Sequence, residues 1–176
     1  KEIGSIKSSE KDLKSQIANL NKDFTSKQSL IANKAQSLSD LQKNLDPIND
    51  KISELETQKN ELDNNVQKEI SAISQNLEKS PAVKSSEVGK LNEDYKNQIA
   101  SLDEQITNFE NQANNLNKTE KTLNDEIKSY EIDTPQITDQ ITELSEQYQY
   151  IDNVKANLAM ATAKNIGIKI DEKAIK

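Results

Sequence analysis

The chain has no histidine, no cysteine and no arginine, and only three glycines, three prolines and 3% aromatic residues among its 176 positions. Each absence excludes a class of function. Without histidine, the commonest general base, proton shuttle and metal ligand is missing, so serine–histidine–acid triads and the usual zinc sites are excluded. Without cysteine there is no disulfide, thiolate metal site or cysteine nucleophile. Gly4, Gly89 and Gly167 lie too far apart to build a phosphate-cradling loop. Arginine supplies the bidentate fork used for phosphate, carboxylate and interface hot spots, so its absence argues against tight anion recognition. The 23 cations are all lysine and are outnumbered by 30 acidic residues, giving a net charge of −7 that disfavours nucleic acid. No uninterrupted apolar run is long enough to span a membrane, and no signal-peptide pattern is present. The chain starts at Lys1 and not at methionine, which reads as an excised fragment or a processed product.

What remains is periodicity. Hydrophobic residues make up 32% of the chain and charged residues 30%, a composition suited to extended helices and too poor for a thick layered core. From Ile3 to Ile73 apolar residues recur with heptad spacing. One series runs Ile3, Glu10, Ile17, Phe24, Ile31, Leu38, Leu45, Ile52, Lys59, Val66, Ile73, and the other Ile6, Leu13, Leu20, Lys27, Lys34, Leu41, Ile48, Leu55, Leu62, Glu69. A 3.5-residue repeat held this long belongs to a coiled coil, because the stripe of an ordinary globular helix drifts at 3.6. It also separates the chain from a disordered one of similar polarity, which keeps no such phase. A second pair of ladders runs from Val88 through Tyr95, Leu102, Phe109, Leu116, Leu123, Tyr130, Ile137, Leu144 and Ile151 to Leu158, with Ile99, Ile106, Ala113, Ile127, Ile141 and Tyr148 between.

The breakers divide this pattern. Pro47 and Pro135 each leave the heptad phase unchanged on both sides, which predicts a helix that runs through or kinks in line. Between Glu78 and Gly89 the apolar period fails, while Pro81, several serines and Gly89 cluster, which predicts the turn. Ser80-Pro81 also has the form of a helix cap followed by a first-turn proline. The expected architecture is all-α: an elongated antiparallel coiled-coil hairpin over 1–163, with helix 1 at about 3–77, the turn at about 78–89 and helix 2 at about 90–163. A 70-residue arm would extend roughly 105 Å. The competing arrangement is a four-helix bundle with breaks at Pro47, Pro81 and Pro135. Residues 164–176, with alternating Ile166, Ile168 and Ile170, read as an extended tail or the start of a further domain. Centring the turn near residue 84 predicts a register that sets Ile73 against Tyr95, Val66 against Leu102, Leu45 against Leu123 and Phe24 against Leu144.

Polar residues interrupt the seam at Glu10, Lys27, Lys34, Lys59, Glu69, Asn92, Glu120, Thr134 and Lys155. Two roles fit them: stems that cover a thin seam while their heads reach water, and groups that disfavour wrong registers. Asp139, Glu143 and Glu146 share one helix face at spacings of four and three. Without a calcium-loop motif they read as a solvated acidic face, not a metal site. Asn117-Lys118-Thr119 matches a glycosylation sequon but lies within the helical pattern. No catalytic residue, cofactor or metal ligand is assigned. Candidate partner contacts are Pro81, Val83, Lys84 and Val88 at the turn and Tyr150 and Val154 near the open end. Tyr150 and Val154, with Val88 and Leu91, flank the seam and are placed to serve a third helix or a second copy. The functional expectation is a structural or interaction module, a spacer or scaffold, with a protein partner and a homo-oligomer as an option. The lack of cysteine fits a bacterial surface, envelope or secreted protein, and lysine-only cations beside abundant asparagine and isoleucine fit an AT-rich genome. The alternative is a regulatory arm that positions an enzyme or secretion component lying outside this sequence.

Overall fold

A computed structural model describes residues 2–174, with side chains described over 4–164. It contains two helices, α1 (Glu2–Gln75) and α2 (Pro81–Ala174), packed against each other as an antiparallel hairpin. Pro47 and Pro135 lie inside unbroken helices. The four-helix alternative with breaks at Pro47, Pro81 and Pro135 is therefore excluded. Pro47 is exposed and costs about 3 kcal/mol in a helix interior. Around it, Leu41, Leu45 and Leu55 are buried, each contributing about 1.5–3 kcal/mol. A reversal at Pro47 would surrender those contacts, so continuity wins.

The turn is shorter and earlier than the sequence pattern suggests, spanning only residues 76–80. Ser80 caps α2: its hydroxyl accepts from the Val83 amide at 3.3 Å, and its carbonyl accepts the first helical bond from the Lys84 amide at 3.0 Å. Pro81 occupies the first helical position, where its missing N–H is harmless. Residues 81–89, expected within the turn, are thus the first turns of α2. Gly89 is an ordinary helical residue with open space around a would-be Cβ, and no described residue has positive φ.

Moving the turn moves the register by about one heptad. The Tyr95 hydroxyl donates to Asp63 at 3.0 Å, and Lys59 Nζ meets Asp103 at 2.5 Å. In the expected register Tyr95 would lie opposite Ile73, and Lys59 opposite Phe109. The seam tolerates a whole-heptad slide because every seventh position repeats, and the position of the cap selects among the solutions. Near the turn the seam also steps by one residue: Ile70 and Leu91 are half-buried, while the ladder residues Glu69 and Asn92 are exposed.

Contacts divide the chain into two compact units, residues 35–125 and residues 1–34 with 126–176. In the first, Leu41, Leu45, Leu55, Val66, Ile106 and Ala113 are buried. In the second the buried residues include Ile137 and Thr134, whose hydroxyl donates to the Tyr130 carbonyl. Thr138 and Thr142 donate likewise to carbonyls four residues back, each at 3.0 Å. These bonds surround Pro135, whose absent N–H leaves the Glu131 carbonyl without its helical donor. Residues 164–174, expected to be extended, continue α2 as helix. Nothing between Ala163 and Ala174 beyond the single Gly167 acts as a stop signal, and one interior glycine costs only about 1 kcal/mol.

Two outcomes check this geometry. Cysteines replacing Leu55 and Ile106 form a disulfide within one chain, and cysteines replacing Leu45 and Leu123 do not; the reverse pattern restores the expected register. Gly89→Ala raises stability by roughly 0.5–1 kcal/mol in thermal unfolding, because an unhindered helical glycine gains a better helix former. A loss of stability would return Gly89 to a turn.

Candidate interaction surfaces

Five of the polar residues on the ladders, Glu10, Lys27, Lys34, Lys59 and Lys155, are paired across the seam. In the open-end unit, Lys155 and Tyr148 on α2 both donate to Glu10 on α1, at 2.5 and 3.3 Å. Lys27 lies 3.8 Å from Asp133, and Lys34 pairs with Glu126. In the other unit Lys59 pairs with Asp103. Half-buried stems cover the seam while each charged head finds an opposite charge on the other helix. Lys14 and Lys27 add cation–π contacts, with Nζ 5.5 Å from the Tyr148 ring centroid and 5.9 Å from that of Tyr130.

These contacts shift titration in the expected directions. Lys155 hydrogen-bonds to the Glu10 carboxylate and holds its pKa below the ordinary value. Glu126, Asp103 and Glu10, as acceptors, raise Lys34, Lys59 and Lys155 respectively. The Asp63 acceptor raises the Tyr95 hydroxyl. All are exposed enough for salt to screen them.

At the turn, several polar groups near the apex are engaged. Asn76 Oδ1 accepts from the Glu78 amide at 2.9 Å, and Lys84 Nζ donates to the Ser74 carbonyl at 2.9 Å, satisfying a terminal carbonyl of α1. Lys79 pairs with Glu87 at 2.5 Å. From this braced loop Leu77 projects with 97% of its surface exposed, beside exposed Pro81 and Val83. Leu77 was not singled out by the sequence pattern, although a leucine falling on neither ladder is the available signal. Lys84 and Val88 are half-buried, Lys84 as a bracing residue. The structure therefore brings Pro81, Val83, Lys84 and Val88 to one end. Tyr150 and Val154 belong to the other unit.

There, two adjoining cavities of about 670 and 460 Å³ share Gln16 and Gln147 and form one groove alongside the seam. Leu13, Leu20, Leu144 and Ile151 form its floor, and Tyr150, 70% exposed, stands at its edge. Its charged lining is Asp12, Glu143 and Glu146, with no lysine. Among the described residues no group of acidic side chains is placed to hold a metal ion. No described helix is long and apolar enough to cross a membrane. Comparison of the chain with protein families, curated proteins and solved structures yields no match.

The pKa directions set a pH window. Glu10, with its folded pKa lowered from 4.5, contributes stability that is complete above that value and lost as pH falls through the lowered one. The lysines, raised from 10.5, contribute stability complete below that value and lost as pH rises through the raised ones. Wild type melts above Glu10→Gln at neutral pH, and the difference closes in acid and in high salt. A difference independent of pH would remove Glu10 from the seam.

Proposed function

We propose that the chain is a non-catalytic interaction module, a helical spacer or scaffold that presents its turn to a protein partner. The observation that carries this reading is the braced apex: four separate polar contacts hold a five-residue turn whose most exposed residue is Leu77. An apolar side chain held in one place at an apex loses little further freedom on docking, which favours association. The turn itself needs no leucine, since Ser80 and Pro81 start α2 and Lys84 caps α1. The rest of the chain supports the turn through long paired helices. The absence of cysteine supports a bacterial surface, envelope or secreted setting.

The test is partner retention by wild type against Leu77→Asn/Val83→Asn in the full chain, with helicity followed by circular dichroism. The variant keeps its helix content and loses the partner. Equal retention by both would retire the turn as the contact surface.

A further inference from the structure

The groove of the open-end unit is a stretch of seam that its two helices leave uncovered. The floor residues Leu13, Leu20, Leu144 and Ile151 belong to the ladders, yet each is only half-buried. In the other unit the ladder residues Leu41, Leu45 and Leu55 are buried. The difference lies on the shoulders of the groove. Positions flanking a paired seam commonly carry glutamate or lysine, whose stems fold over the apolar stripe. Here the residues that precede Glu10, Ile17, Ile141 and Tyr148 are Ser9, Gln16, Gln140 and Gln147, all uncharged and all exposed. The opposite flank is built differently. Lys14, directly after Leu13, reaches across to the Tyr148 ring, with Nζ 5.5 Å from its centroid.

We propose that this groove receives a cationic amphipathic α-helix of a different protein. Shape and charge together select that occupant. The groove is lined by residues between 9 and 20 of α1 and between 140 and 151 of α2, roughly 18 Å at the helical rise, or about three turns of a docked helix. Apolar side chains recurring every three and four residues on that helix meet the leucine and isoleucine floor and complete a three-helix core. The charges bordering the floor, Asp12, Glu143 and Glu146, are all acidic. Among the described residues none of the three has an ion-pair partner. Lysine or arginine on the docked helix supplies those partners. Tyr150, 70% exposed at the edge, presents its ring to the same cations and is an anchor of the residue type that dominates interfaces. A second copy laid groove to groove would instead set these carboxylates against their own equivalents. This surface belongs to a different unit from the turn, and the inference does not rest on the spacer reading.

The test is fluorescence anisotropy of a labelled synthetic peptide titrated with the full chain. The peptide has about 18 residues, long enough for a helix, with leucines at that spacing and lysines beside them. A second peptide carries glutamate for every lysine, and a third carries serine for every leucine. The lysine–leucine peptide binds, less tightly as salt rises, and the other two do not. Glu143→Lys/Glu146→Lys weakens binding by about tenfold or more, and Tyr150→Ser weakens it by about threefold or more. Glu93→Lys/Glu104→Lys, an equal change of net charge on exposed residues of the other unit, leaves binding unchanged. These exposed substitutions keep the helix content, which circular dichroism checks. Absence of peptide binding overturns the proposal. So does an equal loss in both charge reversals, which would reduce the attraction to overall net charge. A chain that self-associates in sedimentation equilibrium, and stops doing so on Tyr150→Ser, also overturns it and assigns the groove to a second copy.

Discussion

A seam that repeats every seven residues has many nearly equivalent registers, and the fold depends on the cap at Ser80 and the cross-helix ion pairs, which together favour one of them. Sliding α2 by one heptad in one direction would bring Lys59 opposite Lys96 and Lys34 opposite Thr119. Sliding it the other way would leave Lys27 facing Gln140 and Glu10 facing Thr162, while Lys34 would meet Asp133 and Lys59 would meet Glu110, so that shift loses two of the four pairs. The observed register gives Glu10, Lys27, Lys34 and Lys59 an oppositely charged partner each. Exposed pairs of this kind add little stability singly. Their effect is on the difference between registers, where losing a partner and gaining a like charge act together.

The cap at Ser80 and the ion pairs specify the same alignment from independent sites. One fixes where α2 begins, and the others fix what lies beside it tens of residues away. Such agreement between local and long-range signals is what gives one arrangement a gap over its neighbours. The two units divide the work differently. Residues 35–125 have the denser apolar seam, with Leu41, Leu45, Leu55, Val66, Ile106 and Ala113 buried. The open-end unit relies more on Glu10, Lys27, Lys34 and Lys155, and contains Pro135 with its threonine-to-carbonyl bonds. Few buried apolar contacts and a missing helical bond are the features of a segment that opens more readily.

Function follows from what such a pair of helices leaves uncovered. Two helices bury one stripe each and cannot bury more, so off-ladder apolar residues remain in water: Leu77 at the turn, Tyr150 and Met160 in the other unit. Isolated exposed apolar residues are ordinary on any protein. Here Leu77 stands on a braced turn, and Tyr150 stands at a groove whose charges are all of one sign.

The sequence by itself determined the two helices, their hairpin pairing and, away from the turn, most of the residues that enter the seam, because heptad phase is a local property that survives Pro47 and Pro135 intact. It also marked Pro81, Val83 and Tyr150 as exposed positions, since a residue off both ladders has no partner helix to meet. It did not determine the register, the projection of Leu77 or the acid-lined groove. Periodicity is blind to translation by one period, so Val66 matches Leu102 as well as it matches Tyr95 until the cap and the charges are placed in space. Only the tertiary structure decided between them, by bringing together side chains as distant in sequence as Glu10 and Lys155.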